Sequence, residues 1–220
     1  MPVPQLDFWF DFSSPFAYLA ATQVESVAAR TGATLHWHPI LLGALFREIN
    51  QVDVPLFAMG PEKQAMVMKD LQRWAWWWGV PFCFPAQFPL RTVLPLRCVL
   101  ASPQPAPLIR SLFRAAWGEG KDISQENILL ECGLTPQQIA SASSPNCLER
   151  EKLRVSTAQA REKGIFGVPT YAAPLREVVA RKGIDARYSH VLTEVRPESK
   201  EAVFLVQPAS PHQGEGEEPR

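Results

Sequence analysis

Residues 10–20 read FDFSSPFAYLA, and this stretch decides the fold. Upstream, QLDFWFDF (5–12) sets Leu6, Phe8, Phe10 and Phe12 against Asp7, Trp9 and Asp11, the period-two alternation of a strand. Ser14 then stands where an N-cap belongs. Pro15 follows at the first helical position, where a proline gives up no needed hydrogen bond and presets φ. Phe16, Leu19, Ala20, Val24, Val27 and Ala28 recur at helical spacing, and Gly32 is placed to end the helix in a left-handed turn. A second strand, TLHWHPI (34–40), comes next. Strand, helix and strand joined this tightly make a βαβ unit with parallel strands, which puts the chain in the α/β class.

Beyond this opening the periodicity changes. Residues 41 to about 163 carry helical patterning broken by Pro and Gly, with no strand pattern. PEKQAMVMKDLQRWAWWWG (61–79) has Ala65, Met68, Leu71, Ala75 and Trp78 at helical intervals before Gly79. SPQPAPLIRSLFRAAWGEG (102–120) and residues 147–163 predict further helices, and ISQENILLECG (123–133) opens on Ser124, a capping residue type. GIFGVPTY (164–171) is an X-Pro turn of the kind that hosts a cis bond at Val168–Pro169. After Tyr171 the character shifts again: PLREVVARKGIDARYSHVLTEV (174–195) reads as one short helix and one strand, and residues 207–220 read as a disordered tail.

Composition narrows the function. The chain has 220 residues, 46% of them apolar, and 22 basic residues balance 22 acidic ones. Zero net charge withholds the electrostatic footprint of nucleic-acid or membrane-surface binding. No apolar run reaches the ~20 residues that span a bilayer, and MPVPQLDFWF has neither the basic nor the apolar region of a signal peptide. A cytoplasmic protein is the reading that follows. Cys83, Cys98, Cys132 and Cys147 are far apart, with no CxxC pair, so the sequence predicts free thiols and no zinc knuckle.

Other side chains have weaker signals. His36 and His38 share one strand face, but no third ligand follows at metal-site spacing, so no metal site is assigned. Trp74, Trp76, Trp77 and Trp78 fit either an aromatic substrate pocket or core and dimer packing. Asp70 and Arg73, three apart on a helix, read as a surface ion pair. Ser14 on sequence physics alone is sufficiently explained as a helix cap.

Four stretches taken together say more. FDFSSPFAYLA, MVMKDLQRWAWWWGVPF, WGEGKDIS and GIFGVPT resemble, in order and spacing, the 2-hydroxychromene-2-carboxylate isomerase family, related to kappa-class glutathione transferases and to DsbA-type proteins. The resemblance spans about residues 5 to 171. It implies an α/β, thioredoxin-like fold over residues 1–171 with a large helical insertion at about 41–163. It further implies glutathione as cofactor, a small aromatic-pathway substrate and a homodimer. Ser14 matches the position where disulfide oxidoreductases keep the first cysteine of CxxC, and Ala17 the second. With no thiol at either place, thiol–disulfide exchange is lost, while a hydroxyl at a helix N-terminus can still stabilise a bound thiolate.

By the same resemblance, glutathione sulfur adds to a conjugated carbon of the substrate, and ring opening, bond rotation and product release follow. Ser14 is the implied catalytic residue. Val168, before Pro169, would hold the tripeptide backbone, Lys63 would approach it, and Asn50 or the neighbouring Gln51 would supply an amide. A kappa-like glutathione transferase and an inactive thioredoxin-fold binding module are the alternatives.

Two departures stand out. Arg91 in FPLRTV replaces an asparagine usual in relatives. Relatives also continue past GVPT into a β-hairpin and a final helix that bind the γ-glutamyl end of glutathione. In this chain residues 172–206 are atypical, and YAAPLREVVARKGIDARYSHVLTEV (171–195) weakly resembles a fragment of sulfide:quinone oxidoreductases, without a dinucleotide fingerprint. The expectation is a chimeric C-terminal segment in which that hairpin and helix are replaced, leaving an uncovered sheet edge.

Overall fold

The structure is a computed structural model that describes residues 3–174, together with the backbone of residues 191–195 and 201–206. β1 (Gln5–Phe10) runs parallel to β2 (Thr34–Pro39), Phe8 opposite Trp37 and Trp9 opposite His38, with α1 (Pro15–Thr31) as the crossover. Both ends of α1 form as the sequence predicts. Ser14 Oγ accepts the Ala17 N–H at 3.2 Å, and Gly32 closes the helix at φ 64°, its N–H directed to the Ala28 and Ala29 carbonyls.

A Cβ at Gly32 would meet nothing within 4 Å, so a substitution there isolates the cost of left-handed backbone. Gly32→Ala is expected to lose about 1 kcal/mol, read as a Tm drop of roughly 2–4 °C in a thermal melt. An unchanged Tm would show that the turn relaxes at no cost.

Between β2 and β3 (Thr170–Pro174) the described chain is helical: α2 (Leu42–Glu48), a 3-10 turn (Pro55–Ala58), α3 (Pro61–Trp77), α4 (Val93–Ala101), α5 (Pro105–Phe113), α6 (Glu126–Glu131), α7 (Pro136–Ser143) and α8 (Leu148–Glu162). A π-helical turn, Arg114–Gly118, prolongs α5. Ser124 does not cap α6 as expected. Gln125 holds that position, and Ser124 instead bonds Asp122 through both its N–H and its hydroxyl, forming the preceding turn.

The sheet has the order β2-β1-β3-β5-β4, with β4 (Val191–Val195) and β5 (Glu201–Val206). β3 is antiparallel to β1 on one side and to β5 on the other, Thr170 opposite Leu205. This corrects the expectation of an uncovered edge. β5 and β4 form an antiparallel pair beyond β3, supplying partners for a strand edge that would otherwise expose its backbone donors and acceptors. The predicted short helix after residue 174 and the tail at 207–220 lie outside the described residues.

β1 is buried on both faces, so its alternation does not separate core from solvent. Phe8, Phe10 and Phe12 pack into the main core with Phe113 and Trp37. On the other face Trp9 is equally covered, by Ile40, Leu45, Ala160 and Ile165. β1 lies between β2 and β3 with side chains of the helices packed on both of its faces, and Asp11 is buried just past its end.

Candidate active site

β1 delivers the segment Asp11-Phe12-Ser13-Ser14 to the amino end of α1. Ser14 N–H donates to the Asp11 carbonyl at 3.2 Å, and Ser13 N–H to Asp11 Oδ1 at 3.0 Å. Ser14 is only 6% exposed. Its Oγ accepts from Ala17 N–H and donates to the Val168 carbonyl at 3.2 Å, joining residues 154 positions apart. The Val168–Pro169 peptide is cis, Pro169 is buried, and Thr170 Oγ1 donates to the Gly167 carbonyl at 2.7 Å. The first turn of α1 therefore faces the cis-proline loop across a single hydroxyl.

Chemically this juncture is a donor site for an anion. Pro15 lacks an N–H and Ser14 Oγ takes that of Ala17, while the Phe16 and Val168 N–H groups have no acceptor among the described residues. A free N–H and a hydroxyl at the helix N-terminus, with a second free N–H on the facing loop, suit a thiolate or a peptide carbonyl. Sulfur is absent from the two redox positions, Ser14 and Ala17. Cys98 lies in the core, its thiol pushed up to about 11, first by burial.

The remaining predicted site residues stand apart. Asn50 has left-handed backbone, φ 56°, just past α2, and Lys63 lies in the first turn of α3. Both are exposed, and among the described residues neither hydrogen-bonds to Ser14 or Val168. Gln51, the rival amide, is also exposed and closes α2 through its N–H to the Phe46 carbonyl at 2.8 Å. Arg91 is exposed, and its charge reaches Asp122.

The tryptophans separate by burial. Trp74 is buried and packs against half-buried Trp78, whereas Trp76 and Trp77 are 79% and 62% exposed. Burial raises the Asp70 carboxyl pKa, opposed by the charge of Arg73.

His38 is engaged by Asp7, Nε2 to Oδ1 at 2.8 Å, and stacks on Trp9 with ring centroids 4.3 Å apart. Burial pushes the Asp7 carboxyl up, but the hydrogen bond and charge of His38, helped by His36 and Lys163, leave it below its ordinary pKa. A carboxylate depressed in the folded state adds stability above its unfolded pKa and loses it as pH falls through the folded one. Asp7→Asn is accordingly expected to lower Tm at about pH 5, above the unfolded Asp pKa of about 3.9. The gap should close as the pH is taken well below the ordinary carboxylate range. A gap independent of pH would make the effect one of packing.

Three residues of the site are missed by the sequence reading. Asp11 is 1% exposed and also accepts the Leu42 N–H at 2.7 Å. Thr92 is buried and lowers the pKa of the same carboxyl, against its burial. Trp117 Nε1 donates to the Phe12 carbonyl at 2.7 Å. The only local signal was a carboxylate three residues before an N-cap serine.

Residues 5–189 match the family model described as the DSBA-like thioredoxin domain, the class that this sheet and this turn define. A 2-hydroxychromene-2-carboxylate isomerase from Pseudomonas putida is 31% identical over 176 residues, covering 75% of this chain and 83% of that protein. A solved 2-hydroxychromene-2-carboxylate isomerase structure superposes with a TM-score of 0.62 at 30% identity, covering 76% of this chain and 83% of the other. The chain belongs to the DsbA-like thioredoxin family, in the group of the 2-hydroxychromene-2-carboxylate isomerases. Glutathione S-transferase kappa 1 from Caenorhabditis elegans is 33% identical over 87 residues, 39% of this chain and 37% of that one. The likeness to sulfide:quinone oxidoreductases recurs as well: the mitochondrial enzyme of Mus musculus is 45% identical over 42 residues, 19% of this chain and 9% of its own length.

Proposed function

We propose that the chain is a glutathione-dependent isomerase of the 2-hydroxychromene-2-carboxylate type, acting in aromatic catabolism as a cytoplasmic homodimer. The observation that carries the reading is the buried Ser14 hydroxyl, set at the N-terminus of α1 and within hydrogen-bond distance of the Val168 carbonyl. The donors left open around it, Phe16 N–H and Val168 N–H, fit a thiolate and a peptide backbone respectively. When bound, glutathione would supply a nucleophilic sulfur that adds reversibly to a conjugated carbon of the substrate and frees a bond to rotate.

The chain's own residues would prepare that step. Ser14 turns its hydroxyl proton from the Val168 carbonyl to the sulfur, while its Oγ keeps the Ala17 N–H, so donation to the ligand does not uncap the helix. The N-terminus of α1 adds its partial positive charge, lowering the thiol's pKa. Val168 and the cis Pro169 form the opposite wall, and Lys63 and Asn50, both exposed, are the proposed contacts for the outer parts of the tripeptide.

A kappa-like transferase is the second reading, favoured by the match to the Caenorhabditis elegans enzyme. The test is a glutathione titration of the full chain, followed by tryptophan emission and thiolate absorbance, and then isomerisation compared with conjugation to a chloronitrobenzene. Saturable binding as thiolate near neutral pH with isomerisation supports the first reading. Conjugation alone supports the second, and a folded chain that binds no glutathione removes both.

A further inference from the structure

Asp11 is a buried carboxylate for which a helix cap at Ser14 and a donor site at Val168 leave no role. Burial raises its pKa, against hydrogen bonds from the Leu42 and Ser13 N–H groups and the Thr92 and Ser13 hydroxyls. Taking a carboxyl out of water is costly unless it is fully hydrogen-bonded, so what these donors hold together matters.

They come from three elements. Ser13 belongs to the β1–α1 turn. Leu42 is the first residue of α2, whose N-cap, Leu41, has no capping side chain. Thr92 is the N-cap of α4, but its hydroxyl makes no cap bond there; it is buried and acts on Asp11, lowering the carboxyl's pKa. One carboxylate thus stands in for the missing cap of α2 and takes the cap residue of α4. In doing so it fastens the start of α2 to the backbone one residue before Ser14, with the N-cap of α4 beside it. On the far side of the same turn, Trp117 Nε1 fixes the Phe12 carbonyl.

We propose that Asp11 is a positioning residue for the Ser14 hydroxyl: it locks the turn between β1 and α1 onto the amino ends of α2 and α4, and so sets where Ser14 Oγ points. The inference rests on the glutathione reading of Ser14 and assigns its accuracy to a carboxylate outside the ligand's reach. Asparagine at this position keeps shape and volume. It has only one acceptor oxygen for Oδ1 and Oδ2, which are bonded by two backbone N–H groups. One N–H then faces an NH2 group, and the turn shifts.

The test compares wild type, Asp11→Asn, Thr92→Val, Thr92→Ser, Ser14→Ala and the Asp11→Asn/Ser14→Ala double variant in the full chain. Glutathione is the probe, and the readouts are bound-thiolate absorbance, kcat, KM for glutathione and Tm. Displacing a reacting group by about 1 Å costs about a hundredfold. Asp11→Asn should therefore lower kcat by roughly that factor and reduce the thiolate signal, with KM changed far less. In the Ser14→Ala background the same change should add no more than about twofold, because both substitutions act through one hydroxyl. Thr92→Val should move the same readouts in the same direction and Thr92→Ser should restore them, which keeps the inference testable if Asp11→Asn does not fold.

Equal losses from Asp11→Asn in both backgrounds would overturn the proposal. So would a fall in Tm with thiolate signal and kcat intact. If Ser14→Ala loses turnover but the Asp11 and Thr92 variants do not, the inference fails and the glutathione reading survives. If Ser14→Ala keeps full turnover, or wild type binds no glutathione, both fall.

Discussion

Ser14→Ala is expected to lose a hundredfold or more of the glutathione-dependent turnover, the usual cost of about 10²–10³ for removing one preorganised donor to a developing or bound anion, while the chain stays folded. The two duties of the hydroxyl separate in size. As a cap it accepts the Ala17 N–H, a contact whose removal costs about 1 kcal/mol and lowers Tm by roughly 2–4 °C in a domain of this length. As a donor it bridges the start of α1 to the cis-proline loop. Its partner is the carbonyl of Val168, a half-buried residue, so the lost bond is expected to add little to the loss of stability. Activity should therefore fall far more than Tm does. A small Tm loss with turnover intact would reduce Ser14 to a cap and sink the isomerase mechanism. Ser14→Thr, which keeps both donor and acceptor, should retain more activity than Ser14→Ala at a similar Tm.

What made the opening of the chain legible is that its signals are local. Ser14, Pro15 and Gly32 each act within one helical turn, and the parallel pairing of β1 with β2 follows from a short crossover. Asp11 was illegible for the opposite reason. Period-two alternation assigns it the face of Asp7, but its burial depends on α2 and α4, whose starts at Leu42 and Thr92 lie some 30 and 80 residues further on. The contact of Ser14 with Val168 spans 154 positions, beyond any periodicity, and only resemblance to a family placed the two together. Thr135 and Gln138 form a capping box that the S/T-x-x-Q spacing advertises. The strand EAVFLV is likewise legible in composition, but its antiparallel partner β3 is some 30 residues upstream, beyond the reach of any local signal.

The largest stability effect is expected at Trp117. It is fully buried, packed between Phe82, Phe84 and Phe88 with ring centroids 5.4 to 6.3 Å away. Its carbonyl accepts the Cys83 N–H at 2.6 Å. Trp117→Ala should cost about 3–5 kcal/mol, a large share of the roughly 5–15 kcal/mol that holds a domain together, and should bring the urea midpoint down sharply or prevent folding. Trp117→Phe is the more informative change. It keeps most of the apolar surface but removes the indole N–H, leaving the buried Phe12 carbonyl unbonded at a cost of about 1–3 kcal/mol. Phe12 lies between Asp11 and Ser14, so the freed carbonyl loosens the turn that carries the hydroxyl as well as the core. Circular dichroism should therefore show a native fold of lower midpoint, while glutathione held as thiolate declines. If the thiolate signal instead holds while the midpoint drops, the π-helical turn at Arg114–Gly118 braces the core alone. The geometry of Ser14 would then be set from the Asp11 side of the turn.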